Sequence, residues 1–381
     1  MPKGVPGAPT RGTEVALLPN LSFQAGMSMR LYGSELLVSL KGIPGVRPTL
    51  LSPPFESQPG VGGLQRRWIQ YVSYPAWAKR QQADLYHIVD HANAQLMLRV
   101  PGLRTVVTCH DLYPLAVALG HLRFPGAPSR SAMVPTSLRL TLLRKAAVVM
   151  TDSKYTLDEC RRYLRVPASR LQVAYHGVSS AFRVAASAGA VSALRARLGV
   201  RPGDLVVLHV GSNDVRKNLS TAFHAVARIR ERVRGPVVLL KVGSRFGPAE
   251  LSVIRALDLQ RSVLELGEVS EEELSGAYRV ATVLLYPSFH EGFGRPVAEA
   301  MAAGLPVVAS TGGSIPEITG GAAALYDPLD VEGMSRRIVE LAASPTLREE
   351  MAHAGQEASK RFTWSDHGRT VAGVYEALMS R

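Results

Sequence analysis

The segment YPSFHEGFGRPVAEAMAAGLPVVAS, Tyr286 to Ser310, decides the reading of this chain. An apolar run, TVLLYP, ends at Pro287 and is followed by the glycine-bearing loop His290-Glu291-Gly292-Phe293-Gly294. Pro296 then suits the first turn of a helix, where a missing N–H costs nothing. The helix is expected to stop near Gly304, and the next apolar run, LPVVAS, starts at Leu305. Strand, loop, helix and strand in that order make one step of a parallel sheet. The two glycines let backbone amides approach a ligand closely. The start of the helix offers free N–H groups and a positive dipole end, which suit a diphosphate. Glu291 in the loop and Glu299 a turn or two later can point at the same ligand. Carboxylates do not hold phosphate, but they accept hydrogen bonds from sugar hydroxyls. Loops of this kind occur throughout α/β proteins, so spacing alone assigns no function.

The pattern repeats in both directions. LVVLHV (Leu205–Val210) and PVVLLKV (Pro236–Val242) are short, continuous apolar runs, as buried parallel strands should be. Helical spacing over Thr221–Val233 and Glu271–Val280 lies between such runs. Upstream, VALL (Val15–Leu18), LYHIV (Leu85–Val89), RTVVTC (Arg104–Cys109) and AAVVMT (Ala146–Thr151) form a second series, with SELLVSLKG reading as a helix stopped at Gly42. Two alternating βα series predict an α/β chain of two doubly wound, Rossmann-like domains facing across a cleft. The expected division is 1–182 and 183–363, with a closing helix over 364–381 that can pack back on the first domain. Ser365 sits near the N-cap of that helix, and RVAASAGAVSA (Arg183–Ala193) reads as a linker or loop.

Composition narrows the class. The chain has 381 residues, 46% hydrophobic and 20% charged, as a globular protein of two domains would. It contains no apolar run of about 18 residues, so no transmembrane helix is expected. The opening MPKGVPGAPTRGTE lacks the apolar stretch of a signal peptide. Cys109 and Cys160 make no metal spacing and no disulfide framework, which favours a reducing, cytoplasmic compartment. A single bridge between the two stays open. The net charge of +13 is uneven: residues 1–182 hold 21 Lys and Arg against 9 Asp and Glu, and residues 183–381 hold 23 against 22. The first half therefore expects an anionic partner: a membrane surface, a phosphorylated acceptor or nucleic acid. Its clusters are Arg66, Arg67, Lys79 and Arg80, and Arg139, Arg144 and Lys145, the latter in SLRLTLLRKA, which reads as an amphipathic helix.

Two further motifs lie at strand ends. LHVGSNDVRKN (Leu208–Asn218) turns at Gly211 and places Arg216 and Lys217 just before a helix, where they can neutralise a departing diphosphate. TVVTCHDLYPL (Thr105–Leu115) puts His110 just beyond a strand. No Asp-x-Asp and no His, Cys and carboxylate cluster with metal spacing occurs, so no metal and no other cofactor is expected.

Together these segments resemble the retaining glycosyltransferases of family four, which have the GT-B fold. Glu291 to Glu299 resembles the family's E-x7-E segment, and RKN resembles a mannosyltransferase-like subgroup. The resemblance implies that Glu291 holds donor-sugar hydroxyls and Glu299 the ribose. It implies that Arg216 and Lys217 clamp the leaving diphosphate, and that His110 contacts the donor sugar. It also brings Gly211, Gly292, Phe293, Gly294 and Arg295 to the donor, and it gives Val269, in LGEVSEEELSGAYRVA, a backbone contact with the nucleotide base. Arg295 stands where the family usually has an apolar residue. The early glycine loop at Gly26 departs from the usual Gly-x-Gly, and its contact with the donor phosphates follows only from the resemblance. The implied activity moves a hexose, mannose first, from a nucleoside-diphosphate sugar to a hydroxyl of a saccharide or lipid-linked acceptor, in polysaccharide or glycolipid synthesis. The expected place is the cytoplasm, peripheral on the inner face of a membrane. Another sugar-nucleotide enzyme (an epimerase or a phosphorylase) and a basic nucleic-acid-binding protein are the alternatives; zinc-finger, RNP and basic-zipper patterns are absent.

Overall fold

The computed structural model describes residues 12–23, 27–55, 62–184 and 188–380. Its strands are β1 (Thr13–Leu18), β2 (Val46–Leu50), β3 (Leu85–Ile88), β4 (Thr105–Cys109), β5 (Val148–Thr151), β6 (Leu171–Val173), β7 (Leu205–Gly211), β8 (Val237–Gly243), β9 (Val263–Gly267), β10 (Val283–Tyr286), β11 (Val307–Ser310) and β12 (Ala324–Tyr326). They form two six-stranded sheets, in the orders β2-β1-β3-β4-β5-β6 and β12-β11-β10-β7-β8-β9. Every pairing is parallel. The central strands β3, β4, β5, β10 and β11 are buried at every position, as a sheet covered on both faces requires.

Contacts divide the chain into two units. The first holds residues up to His121, Ser129–Gly177 and Trp364–Arg381; the second holds Leu122–Pro128 and Val178–Thr363. The division at Gly177 falls earlier than the one expected at 182. The helix Ser180–Arg183 belongs to the second unit: Arg183 donates to the carbonyls of Ser359 and Phe362 at 2.9 Å each, and Phe182 packs edge-on against Tyr278. Leu122–Pro128 also belongs there, with Phe124 stacked on Phe289 at 4.4 Å between centroids. The last helix, Trp364–Met379, packs in the first unit, where Val371, Ala372 and Tyr375 join the core formed by Val15, Leu17, Tyr32 and Leu36. A core of Val207, Phe223, Val226, Leu239 and Ile338 fills one face of the second sheet.

Two readings of the chain are corrected. The expected linker over Arg183–Ala193 contains the start of a helix, Ala188–Leu198, because its alanines favour a helix more than a loop. The expected helix over SLRLTLLRKA is in fact the end of a longer helix, Arg130–Leu140, followed by a 3-10 turn, Thr141–Lys145. The helices Glu271–Val280 and Leu219–Arg230 lie where helical spacing put them. The first is closed by a reciprocal cap: Ser270 Oγ accepts from Glu273 N–H at 3.2 Å, and the Glu273 carboxylate accepts from Ser270 N–H. Among the described residues, no helix is long and apolar enough to cross a membrane.

Candidate active site

In the second sheet, β7 and β10 are neighbours, yet the chain leaves them in opposite directions, β7 toward β8 and β10 toward β11. Ligands of such sheets bind beyond the carboxyl ends of the strands where the strand order reverses. The loops beyond those two strands carry the predicted residues. After β7, Gly211 turns the chain with φ +150°, and a short 3-10 turn, Val215–Lys217, sets the basic pair. Asn218 follows with φ +55°, a conformation that asparagine tolerates better than most residues. Its amide donates to the carbonyls of Pro287 at 3.0 Å and Pro328 at 2.7 Å, and the N–H of Phe289 donates to the Arg216 carbonyl at 2.7 Å. The two loops are thereby stitched together by the Asn218 side chain and by one backbone hydrogen bond.

At their meeting point, Lys217 Nζ donates to Glu291 Oε1 at 2.7 Å and to the Tyr286 hydroxyl at 2.8 Å. That hydroxyl in turn donates to the same Oε1 at 2.9 Å. Burial pushes the Glu291 carboxyl upward, but the charges of Lys217 and Arg216 outweigh it and hold the group below its ordinary range. The helix Arg295–Ala302 begins at Gly294, whose φ of +86° closes its N-terminus. Gly312 and Gly313 press on this loop from β11: a Cβ on Gly313 would lie 2.3 Å from the Glu291 carbonyl oxygen, and one on Gly312 would lie 2.2 Å from that of Ser288. On that helix, Glu299 Oε2 accepts from the Tyr278 hydroxyl at 2.9 Å, and Glu299 Oε1 lies 3.6 Å from Arg295 Nε. The arrangement gathers an ammonium, a guanidinium, a helix N-terminus and two buried carboxylates at one sheet edge.

Known proteins resemble this chain over most of its length. The family described as Glycosyl transferases group 1 matches residues 191–358, and the one described as Glycosyltransferase Family 4 matches residues 34–182. The O-antigen chain mannosyltransferase B of Escherichia coli is 30% identical over 311 residues, 80% of this chain and 77% of that protein. The chain belongs to glycosyltransferase family four. The serotype-specific mannosyltransferase WbdA of Escherichia coli is also 30% identical, over 72% of this chain, but the match spans only 34% of that longer protein. Among solved structures, sucrose-phosphate synthase from Thermosynechococcus elongatus superimposes with a TM-score of 0.75 at 22% identity, covering 96% of this chain and 99% of the other. Anabaena HepE, crystallised with UDP and glucose, gives 0.73 at 19%, covering 96% and 100%. The fold of this glycosyltransferase is GT-B.

The other expected residues have distinct places. Arg216 Nε lies 3.6 Å from Asp214 Oδ1. Arg295, expected as a cation for phosphates, lies with its Nε 3.6 Å from Glu299 Oε1, one helical turn away. Phe293, expected at the donor, turns its ring into the interior, edge-on to Phe362 at 5.3 Å. Gly292 is buried in the same loop, and Val269 is half-buried just beyond β9, at the same end of the sheet. Gly26 lies outside the described residues.

His110, in the first unit, is buried just beyond β4. Its Nδ1 meets Asp152 Oδ2 at 2.6 Å and its Nε2 meets the Val89 carbonyl at 2.9 Å. Both partners are acceptors, so both ring nitrogens carry protons and the ring is an imidazolium. Burial lowers the His110 pKa, but Asp152 more than reverses this and holds it up to about 9. Asp152 lies far below the carboxylate range despite burial, held there by His110 and His176. His176 Nε2 stands 3.0 Å from the same Asp152 oxygen, and its ring stacks on Tyr32 at 4.9 Å. His110, Asp152 and His176 could by residue type hold a metal ion. His110 would have to give up its Nδ1 proton to take part.

Sequence reasoning passed over Tyr286 and Tyr278, whose hydroxyls fix the two site carboxylates, because a tyrosine in an apolar run reads as core. Asp152, just beyond the apolar run AAVVMT, carries no local signal, because its partner His110 lies 42 residues away.

Proposed function

We propose that this glycosyltransferase moves mannose from GDP-mannose to a hydroxyl of a growing cell-surface polysaccharide or glycolipid. The Lys217–Glu291 pair at the strand-order reversal carries the reading. Lys217, Arg216 and the helix N-terminus at Gly294 form a positive field that holds a diphosphate without a metal. Glu291 and Glu299 supply acceptors for donor hydroxyls. The sugar C1–O bond to the diphosphate breaks as the acceptor oxygen bonds to C1 from the same face. The acceptor proton passes to a diphosphate oxygen, so no protein base is needed and the anomeric configuration is retained. The names of the mannosyltransferase relatives support mannose; HepE, crystallised with UDP and glucose, supports a UDP-sugar as the runner-up.

A peripheral, anionic membrane surface is the proposed partner of the first unit. Leu64 (85% exposed), Trp68 (63%) and Tyr71 stand out along the helical stretch 63–78, and Leu138 (64%) along Arg130–Leu140. Arg139 joins the two through the Tyr71 hydroxyl at 2.9 Å, and Arg66 and Arg67 are exposed beside Leu64 and Trp68. Apolar tips ringed by arginine match an anionic lipid surface.

A thermal-shift panel of GDP-, UDP-, ADP- and dTDP-sugars tests the donor. The bound sugar nucleotide should raise the melting temperature, by linkage worth about 2.7 kcal/mol at a hundredfold excess over Kd. No shift with any of them, and no transfer from GDP-mannose, would remove the reading. Flotation with anionic and neutral vesicles at low salt tests the surface; no binding to the anionic ones would overturn it.

A further inference from the structure

Lys241 is the one lysine among the residues described as buried, at 1% exposure on β8, between β7 and β9. Its ammonium donates to three carbonyls: Gly211 at 2.6 Å, Ser244 at 3.1 Å and Val242 at 3.3 Å. Three protons meet three acceptors, which satisfies the group completely. A buried ammonium is costly, and valine or leucine would fill a central strand without that cost. The ammonium joins the turn after β7 to the turn after β8. Gly211 and Gly243 are paired in register, and a Cβ on Gly243 would lie 2.2 Å from the Gly211 oxygen. Asn213 Nδ2 adds a second tie between the turns, to the Arg245 carbonyl at 2.6 Å.

We infer that Lys241 is a positioning residue for the diphosphate end of the donor site, acting through the Gly211–Ser212 peptide. A trans peptide points its C=O and the following N–H in opposite directions. With the Gly211 oxygen drawn toward Lys241 on the β8 side, the Ser212 N–H is turned to the β10 side, where Lys217 meets Glu291. The same anchor fixes the start of the turn that carries Arg216 and Lys217. An apolar side chain at 241 frees this peptide to rotate and to aim a carbonyl at the anion. The inference rests on the proposed donor reading and deepens it.

The groups facing Lys241 come from every neighbouring element. Glu265 on β9 and Glu250 on the helix Pro248–Ala256 favour its charge, and Lys217 opposes it. His209, opposite it on β7, is kept neutral by burial and by Lys241 itself, its pKa brought down to about 3. Burial brings the Lys241 ammonium down to about 8. Deprotonation removes one donor, so the clamp should loosen in mildly alkaline solution.

The test compares full-length wild type with K241M, measuring donor and acceptor KM from pH 6.5 to 9.5 alongside thermal unfolding. K241M should raise the donor KM at least tenfold and leave the acceptor KM within about twofold. The wild-type donor KM should climb above about pH 8 toward the K241M value, which stays flat. A folded K241M with wild-type donor KM overturns the inference. If K241M does not fold, a wild-type donor KM that is flat from pH 7 to 9.5 overturns it equally. A wild type that turns over no sugar nucleotide fails the donor reading itself, and this inference falls with it.

Discussion

Two charged pairs sit at corresponding edges of the two sheets. Lys217 and Glu291, beyond β7 and β10, meet at 2.7 Å with 13% and 8% of their side chains exposed. His110 and Asp152, beyond β4 and β5, meet at 2.6 Å with 4% and 3%. The distances are alike, but the surroundings are not. Glu291 shares its oxygen with a lysine and a tyrosine in a glycine-bearing loop. Asp152 is enclosed by imidazoles, which belong to a longer buried chain. In that chain His87 reaches Tyr375 at 2.6 Å and Thr108 at 2.7 Å, and Tyr32 reaches His367 at 3.2 Å. Tyr375 and His367 come from the last helix, so the network braces that helix to the first sheet. The same architecture thus sets one charged pair in a glycine-bearing loop and ties the other into a buried hydrogen-bonded network. Function follows the site and not the fold.

The comparison breaks most decisively at Glu291. E291A should lower turnover with saturating donor by about a hundredfold or more, the scale for removing a preorganised polar group. Turnover near the wild-type level would place the chemistry elsewhere. D152N attacks the other edge. It leaves His110 without its carboxylate and should cost about 3 kcal/mol in denaturant unfolding. A variant that lost turnover at unchanged stability would make the His110 edge catalytic and erase the contrast.

The pH dependence of unfolding sharpens the same point. His110 titrates higher when folded, at about 9, than the ordinary histidine value of about 6.5. Its contribution is therefore complete below about pH 6.5 and disappears as pH rises through 9; D152N should lack that alkaline slope. His87 and His367 titrate lower when folded, at about 3 and about 4, chiefly through burial. They contribute fully above about pH 6.5 and withdraw stability as pH falls below it. A wild-type stability that stays flat from pH 4 to 6.5 would contradict the buried network.

Smaller effects separate the two site carboxylates. Y278F removes one hydrogen bond to a charged group, a loss of about 2 kcal/mol, and should raise the donor KM by more than tenfold without a comparable fall in kcat. R295L breaks the 3.6 Å pair on the helix. It should change the donor KM by less than about fivefold, the range of a weak, partly solvated ion pair. A larger loss would mean that Arg295 does reach the phosphates.

The amino-acid sequence by itself determined the two alternating βα series, because continuous apolar runs and helical spacing are local signals. It also marked the Glu291 loop, since glycine, proline and carboxylate fall within a few residues of one another. Only the tertiary structure decided where the unit boundary falls, that Arg295 faces Glu299, and that Phe293 serves the interior. Lys241 and the imidazole network were likewise hidden. Their partners lie 30 residues away at Gly211 and 42 at Asp152. A polar residue inside an apolar run shows its meaning only when folding brings an acceptor to it, since burial is tolerable only where such a partner arrives.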